Sequence, residues 1–405
     1  MHPAKDNYDI IIIGGGMVGA SLAVALGQSR HSVLVVEAHP PRTDSQPSFD
    51  DRSIALSYGS RKILQGMGIW PALESRIQPI EHIHVSDRGH FGVTRMSAHE
   101  AGVGALGYVA ENRVMGDVLL QHLESLSNVE YLTPASIESL QQTVEQVQLQ
   151  IQTNKGLKTC TTPLLVAADG SQSRARELVG LEQRCKEYSQ TAIITNVKTG
   201  YTHDNRAFER FTSQGPLAFL PMTEARCSVV WTVNPEDVDG FMRLSDPDFT
   251  QALQQAFGFR LGYIAQVGTR HAYPLSYMEP ERLVKGRVAM VGNAAHTLHP
   301  VSGQGYNLAL RDVAQLAELI VPQDDPGHSL LLSEYESQRR NDLLRVYRVT
   351  DTLVQIFSNR FPPLAHARAL GLLLMDLFPP GRDLMVRQSM GLLGRGNRLM
   401  RGLSL

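Results

Sequence analysis

The sequence predicts an α/β protein in which a parallel sheet with helices is interleaved with a second, β-sheet domain and followed by C-terminal helices. An apolar strand, a glycine-rich turn and a helix-like stretch follow one another in residues 8–26. Two more apolar strands, 163–168 and 287–291, each end in a turn that contains glycine. Residues 186–269 contain strand-like runs. Continuous apolar strands that alternate with helices are typical of a parallel sheet, because such strands are buried on both faces.

The first of these elements predicts a dinucleotide site. Residues 8–13 and 32–37 form two strands around one helix, and the second strand ends in Glu37, whose carboxylate can accept hydrogen bonds from ribose hydroxyls. The turn holds glycines where the chain must bend tightly, approach a pyrophosphate and pack on the strand, at Gly14, Gly16 and Gly19 respectively. The motif alone does not distinguish FAD from NAD.

Two later segments extend this site. Asp169 and Gly170 follow the strand at 163–168, and Gly292 and Asn293 follow the strand at 287–291. A second glycine turn then opens a helix over 308–319, with its polar and glycine residues at Gly303, Gly305 and Asn307. The positive end of that helix suits an electron-rich ring edge.

The three motifs, in this order, resemble those of the flavin-dependent aromatic hydroxylases, which are single-component FAD monooxygenases, over most of residues 8–345. The resemblance implies a Rossmann-like FAD-binding domain interleaved with a β-sheet substrate domain. It implies that the ADP half of FAD is held by Gly14, Gly16, Gly19 and Glu37, that FAD and nicotinamide share Asp169 and Gly170, that the ribityl chain and pyrophosphate lie by Gly292 and Asn293, and that the isoalloxazine lies by Gly303, Gly305 and Asn307.

Arginines also match the family. Arg52 and Arg113 correspond to arginines that touch the cofactor there, and a fixed guanidinium suits a phosphate or the polar edge of a flavin. The alternative for each is a surface ion pair. Arg176 is either a further cofactor contact or a structural cap of the turn at Asp169.

Longer matches are similar to the ubiquinone-biosynthesis branch of the family. They cover residues 52–57, 211–221 and 299–305. Asn293 stands where most members carry aspartate, which removes a negative charge beside the pyrophosphate. The chain resembles the hydroxylases of 2-polyprenyl-6-methoxyphenols in carrying asparagine at this position. The alternative is that the asparagine arose by neutral drift.

The resemblance implies an FAD-dependent monooxygenase that takes electrons from NADPH or NADH and hydroxylates the ring of a 2-polyprenyl-6-methoxyphenol with O2, through a C4a-hydroperoxyflavin. One alternative is a sister hydroxylase of the same pathway that acts at another ring position. Two others are a flavoprotein reductase or dehydrogenase that inserts no oxygen, and a non-catalytic flavin-bound component of a membrane assembly. The protein would orient the ring and exclude water, because the cofactor supplies most of the chemistry.

The sequence offers two candidates for a catalytic base. His296 and His299 lie beside the predicted flavin loop, where a histidine also serves as an ordinary hydrogen-bonding residue. Their spacing does not predict a metal site, since no third ligand is evident. No side-chain nucleophile is predicted.

The predicted domain limits follow these motifs. The FAD-binding domain comprises 1–185 with 270–345, and part of 75–105 joins the substrate domain of 186–269, which leaves a helical segment at 346–405. Four residues of the substrate domain line its pocket or belong to its core: Phe211, Phe219, Pro221 and Trp231.

Composition limits the location and partners. A formal net charge of −2 over 405 residues gives no general attraction to nucleic acid. Three cysteines without ligand spacing, and no signal peptide or spanning segment, predict a cytoplasmic protein. Residues 384–405 show arginines on one face of a helical wheel and apolar residues on the other. This pattern predicts either peripheral contact with the inner face of the cell membrane or with other pathway proteins, or a helix docked on the domain.

Overall fold

The computed structural model describes residues 6–40, 52–89, 92–297, 303–357, 379–392 and 396–405. The helices are α1 (Met17–Ala25), α2 (Tyr58–Gly66), α3 (Trp70–Glu74), α4 (Asn112–Glu124), α5 (Arg174–Leu178), α6 (Pro235–Arg243), α7 (Asp246–Phe257), α8 (Gln304–Ile320), α9 (Ser329–Phe357) and α10 (Pro379–Ser389). The strands are β1 (Ile10–Ile13), β2 (Val33–Val36), β3 (Ser53–Ser57), β4 (Gln78–Ile80), β5 (His82–Asp87), β6 (Val93–Ser97), β7 (Gly107–Glu111), β8 (Val129–Leu132), β9 (Ala135–Gln142), β10 (Val147–Thr153), β11 (Gly156–Thr162), β12 (Leu164–Ala167), β13 (Gln183–Thr199), β14 (Arg206–Thr212), β15 (Gly215–Pro221), β16 (Arg226–Val233), β17 (Ile264–Val267), β18 (His271–Pro280), β19 (Val284–Lys285) and β20 (Val288–Met290).

A six-stranded sheet carries the dinucleotide motifs. Its order is β19-β20-β12-β1-β2-β8, and every pair except β19 with β20 is parallel. Strand β1 is four isoleucines, all buried, because α1 and α8 among other elements cover the sheet. Ile13 lies opposite both Ala167 and Val36, so the chain leaves β1, β12 and β2 at one edge of the sheet. The carboxyl ends of neighbouring parallel strands therefore present their turns to one place.

A larger, eight-stranded sheet lies next to that edge. Its order is β17-β13-β16-β15-β14-β5-β6, with β18 paired to β13. Strands β5 and β6 come from the 75–105 range, and β14 pairs with β5 in parallel. The sheet extends beyond 186–269, because the 17-residue β13 begins at Gln183 and pairs with β18 as far as Pro280.

The two faces of this sheet have different environments. Helices α6 and α7 cover one face, where Phe219 stacks on Phe257 with ring centroids 3.8 Å apart and Trp231 packs on Phe241 and Phe249. The opposite face therefore points away from these helices and toward the parallel sheet. Alternation along each strand decides which side chains it presents.

The C-terminal residues dock on the protein. Helix α10 ends at Ser389, and Gly391 follows with φ +69°, so the amphipathic pattern does not form one continuous helix. Val386, Met390 and Leu399 are buried against the domain, and Arg387, Arg398 and Arg401 are exposed. The docked alternative thus accounts for these three apolar residues of the tail, whereas Leu403 is 48% exposed. In the part of the chain described by the structure, no helix has both the length and the apolar character that a membrane crossing needs.

Candidate cofactor and substrate cavity

One cavity of about 1260 Å³ lies between the edge of the parallel sheet and the face of the eight-stranded sheet that is opposite α6 and α7. Small-molecule sites typically measure about 300–1,000 Å³. The lining includes residues of all three motifs on one side and mostly apolar residues of the larger sheet on the other. The cavity is therefore large enough for a cofactor and a second ligand, and its two sides differ in polarity as two such ligands would require.

Close packing brings the three motifs together. Gly14 has φ +98°, and a Cβ there would lie 2.5 Å from the carbonyl oxygen of Ala168. Gly292 has φ +60°, and a Cβ there would lie 2.9 Å from the Val18 side chain. Side chains at these two positions would push the first motif away from the second and the third.

Arg176 joins the second motif to the third. Its guanidinium donates to the carbonyl oxygens of Ser171, at 2.7 Å, and Ala294, at 2.9 Å. The side chain is 3% exposed and lies outside the cavity lining. Of the two alternatives for Arg176, the structure therefore shows the structural one.

Glu37 lies at the end of β2 and faces the cavity. One carboxylate oxygen accepts from the Gly15 N–H at 2.6 Å and the other from the His39 N–H at 2.9 Å. A carboxylate offers about four acceptor sites. Lone pairs consequently remain for two hydroxyls of a ribose beside Gly16, which is the N-cap of α1 and also lines the cavity. Gly19 is buried in α1 beneath the carbonyl of Gly14.

Asp169 and Gly170 line the cavity beyond β12. The Asp169 carboxylate accepts from the Ser173 hydroxyl and, at 3.0 Å, from the Ala175 N–H. Burial raises the pKa of Asp169, although these hydrogen bonds oppose the shift. The carboxylate thus fixes its own turn and the start of α5, while Gly170 exposes backbone to the cavity.

The N-terminus of α8 faces the same cavity. Gly303 is its N-cap, and Gly303, Gly305 and Asn307 all line the cavity. The Asn307 amide oxygen accepts from Ser57 N–H at 2.7 Å and from the Ser60 hydroxyl at 2.6 Å. Its NH2 group donates to the carbonyl oxygens of Ala55 and Gly303, both at 2.7 Å. Asn307 therefore positions the loop against β3.

The two candidate arginines have different locations. Arg52 lines the cavity, and its guanidinium lies 5.0 Å from the centroid of the Tyr273 ring. Arg113 is outside the cavity lining, half-exposed, with its guanidinium 3.5 Å from the Glu111 carboxylate. The neighbouring Asn112 lines the cavity instead. The structure thus brings Arg52, and not Arg113, to the site.

The two residues of the third motif also have different locations. Asn293 lines the cavity and is exposed to it, whereas Gly292 is buried and donates its N–H to Asp312 at 2.9 Å. His296 is 1% exposed, and its Nε2 lies 2.7 Å from the same Asp312 carboxylate. Arg339 donates to the other Asp312 oxygen at 2.7 Å.

This network corrects the expectation for His296. Its imidazole is held by a buried carboxylate and lies outside the cavity lining, so it supports the loop and does not face a substrate. Burial would raise the pKa of Asp312, but its interactions with His296 and Arg339 outweigh burial and lower the pKa to about 2. His299, the other candidate base, lies outside the described residues.

The apolar side of the cavity follows from strand alternation. Phe211 lines the cavity, whereas Phe219, Pro221 and Trp231 lie outside its lining. Sequence reasoning missed Glu209 on β14 and Met385 on α10, which also line it. Once it is known which face of β14 points to the cavity, the alternation of side chains identifies Glu209 as a lining residue. Met385 can be identified only from the tertiary structure.

These features fit a flavin dinucleotide. The glycine turns leave backbone room for a pyrophosphate, Glu37 keeps acceptor sites for a ribose, and the N-terminus of α8 can stabilise negative charge on a ring edge. The sheet face opposite α6 and α7 offers an apolar wall beside that ring.

Comparisons with known proteins agree with this fit. The family model described as FAD binding domain matches residues 7–350. The ubiquinone hydroxylase UbiL of Rhodospirillum rubrum is 38% identical over 98% of this chain and 93% of its own length. A 3-demethoxyubiquinol 3-hydroxylase of Escherichia coli is 32% identical over 91% of this chain and 94% of its own length.

A solved structure confirms the predicted fold class. The p-nitrophenol 4-monooxygenase PnpA of Pseudomonas putida is similar with a TM-score of 0.81, covering 97% of this chain and 100% of that one. At 20% identity this similarity concerns the fold. The architecture is an FAD-binding domain interleaved with a β-sheet domain.

Proposed function

This chain belongs to the family of FAD-binding monooxygenases that includes the ubiquinone hydroxylases, and on that premise we propose that it hydroxylates the ring of a 2-polyprenyl-6-methoxyphenol in ubiquinone biosynthesis. FAD, reduced by NADPH or NADH, supplies the activation of O2. The observation that carries the proposal is the continuity of one cavity from the glycine motifs to an apolar sheet face.

The cavity suggests how the work is divided among its residues. Gly14, Gly16 and Glu37 receive the ADP half of FAD, and Arg52 lies where it can pair with a phosphate or a polar ring edge. Asp169, Gly170 and Asn293 border the middle of the cofactor, with Gly19 and Gly292 as packing positions. The loop from Gly303 through Gly305 to Asn307 receives the isoalloxazine.

The apolar wall suits the second ligand. Its side chains on the eight-stranded sheet, with those of α10 and neighbouring strands, can exclude water from the reacting ring. Burying each CH2 of a prenyl chain contributes roughly 0.8 kcal/mol. The cavity-facing apolar residues include Ile83, Val85, Met96, Leu106, Ile194, Ala207, Phe211, Ala218, Leu220, Val230 and Met385.

A second candidate acts at another position of the ring. It is favoured by the name of the Escherichia coli relative, a 3-hydroxylase of 3-demethoxyubiquinol. The cofactor motifs are common to both, because regiochemistry depends on how the ring is posed.

Product identification separates the candidates. The purified protein, loaded with FAD, is given NADPH, O2 and a short-chain prenyl methoxyphenol, and the product is identified by NMR. Hydroxylation para to the phenol oxygen is expected. Hydroxylation elsewhere on the ring supports the sister enzyme, and NADPH oxidation without any hydroxylated product contradicts both.

We also propose that the protein meets its apolar substrate at a membrane surface. Three aromatic side chains, here called the aromatic patch, are unusually exposed: Tyr201 at 67%, Phe259 at 63% and Tyr263 at 73%. The two loops that carry them are joined by backbone hydrogen bonds, and exposed Arg260 lies between Phe259 and Tyr263 in sequence. Aromatic rings beside a cation suit the interface of an anionic bilayer. The exposed tail arginines offer a separate positive charge to a membrane surface or to a pathway protein.

Vesicle flotation tests this proposal. The double variant Phe259→Ser/Tyr263→Ser is expected to reduce binding to vesicles of anionic phospholipid at least tenfold, because both rings lose apolar area that the bilayer interface would bury. Leu157→Ser removes a side chain of equal exposure, 63%, from a different sheet and is the control. Equal flotation of the double variant and the wild-type protein would exclude the aromatic patch as the contact, and deletion of residues 384–405 then tests the tail.

A further inference from the structure

Glu209 is a carboxylic acid on the apolar wall of the cavity. Along β14, Ala207, Phe208, Glu209 and Phe211 line the cavity, and Glu209 shares the strand face of Ala207 and Phe211. In the sheet Glu209 lies opposite Val85 of β5 and Ala218 of β15, and both of these line the cavity as well.

Glu209 differs from the other carboxylates of the cavity. Glu37 and Asp169 each accept hydrogen bonds from neighbouring backbone or hydroxyl groups. Among the described residues, none donates a hydrogen bond to the Glu209 carboxylate or forms an ion pair with it. A carboxylic acid that lacks hydrogen-bond partners inside a protein lowers the stability of the fold. A bound ligand could supply the missing partner.

The surroundings of Glu209 contain little charge. The neighbouring cavity-lining residues are Ile83 and Val85 on β5, Pro216, Ala218 and Leu220 on β15, Val230 and Thr232 on β16, and Met385 and Ser389 on α10. The acid nearest in register is the buried Asp87, two residues beyond Val85 on β5. Burial raises the pKa of Glu209 to about 7, and burial is the one cause of that shift. A base with a pKa near the working pH is the most effective kind.

We propose that Glu209 accepts the phenol proton of the substrate ring, an inference that rests on the proposed function. The phenol O–H bond breaks, a carboxyl O–H bond forms, and the negative charge moves from Glu209 to the phenol oxygen. That charge raises the electron density of the ring carbon that attacks the activated oxygen. When the hydroxylated ring regains aromaticity, the ring carbon loses its hydrogen as a proton to water, and Glu209 returns its proton to the original oxygen.

The test compares Glu209→Gln with the wild-type holoenzyme, using a short-chain prenyl methoxyphenol. Product formation is expected to fall at least about 100-fold, as is typical when a general base is lost. Anaerobic reduction of the flavin by NADPH should stay unchanged, and hydrogen peroxide should replace the missing product. In the wild-type enzyme kcat should rise with pH through about 7, and Glu209→Gln should lose this rise. Glu209→Asp should restore part of it, and Glu236→Gln, on an exposed position of α6, is the control.

A second substrate makes the role of the proton explicit. A ring-fluorinated phenol that is already ionised at the assay pH should be hydroxylated by Glu209→Gln at nearly the wild-type rate. Wild-type product formation with an unchanged pH profile and unchanged coupling in Glu209→Gln overturns the role of Glu209 alone. An absence of hydroxylated product from the wild-type enzyme with either phenol overturns the proposed function and this role together.

Discussion

Replacing Asp312 with asparagine is expected to lower the free energy of unfolding by about 3–5 kcal/mol, the usual cost of breaking a buried charged network. Asp312 accepts from Gly292 N–H, His296 Nε2 and Arg339 Nε at 2.9, 2.7 and 2.7 Å, and it is 1% exposed. An asparagine NH2 group would face one of these donors. Urea unfolding at pH 7 measures the loss.

The contribution of Asp312 to stability should decrease as the pH falls. The folded-state pKa of Asp312 is lowered to about 2, below its ordinary value of 3.8, so its contribution is fully present above pH 4. The contribution is lost as the pH falls toward 2, and the difference between variant and wild type should shrink over that interval. Asp324→Asn breaks the exposed pair with Arg30 and should cost at most about 1 kcal/mol. Equal unfolding midpoints for the Asp312 variant and wild type would refute the network as a source of stability.

The second large effect is expected from Asn307→Asp, which should weaken FAD binding by roughly 100-fold or more. The variant keeps the oxygen that accepts from Ser57 and Ser60 but replaces the donor to Ala55 and Gly303 with an acceptor. Two part-buried carbonyl oxygens then lose their donor at 2.7 Å and face a carboxylate oxygen instead, and losing a hydrogen-bond partner costs up to about 1–3 kcal/mol for each group. Titration of the apoprotein with FAD, followed by flavin fluorescence, measures the effect.

Asn128→Asp is the matched control for Asn307→Asp. The Asn128 NH2 group donates to the carbonyl oxygens of Leu26, Ser29 and His31, away from the cavity lining. This variant should lose stability by a similar mechanism and retain its FAD affinity. If both variants bind FAD equally well, Asn307 does not position the flavin loop.

Much of the fold and of the cofactor side of the cavity is predictable from local sequence. The isoleucines of β1, the turn at Gly14 and the terminal Glu37 form one local unit, so their pattern specifies strand, turn and helix together. The convergence of the second and third motifs follows from the rule that parallel strands present their carboxyl ends at one edge.

Side-chain direction limits the same reasoning. His296 is close to the flavin loop in sequence, but its ring points to Asp312, which lies one helix later. Arg113 is the second residue of α4, and its guanidinium points to Glu111. Short motifs specify backbone paths, whereas these directions depend on partners contributed by distant residues.

Strand phase and tertiary cover account for the remaining differences. Trp231 and Val230 are adjacent, and only the position of α6 and α7 decides that Trp231 belongs to the core and Val230 to the cavity. The apolar residues of the tail have the same pattern whether they meet a membrane or the protein, and only the tertiary structure shows that Leu399 packs on the protein.

The source of the oxygen atom added to the ring tests the proposed hydroxylation most directly. The holoenzyme is supplied with NADPH and the short-chain prenyl methoxyphenol under ¹⁸O₂ in ordinary water, and the product is analysed by mass spectrometry. One ¹⁸O atom per hydroxylated ring, with no label when ¹⁸O is supplied only as water, is the predicted result. An unlabelled product, or consumption of NADPH without a hydroxylated ring, would contradict the account of a cavity that joins FAD to a phenol.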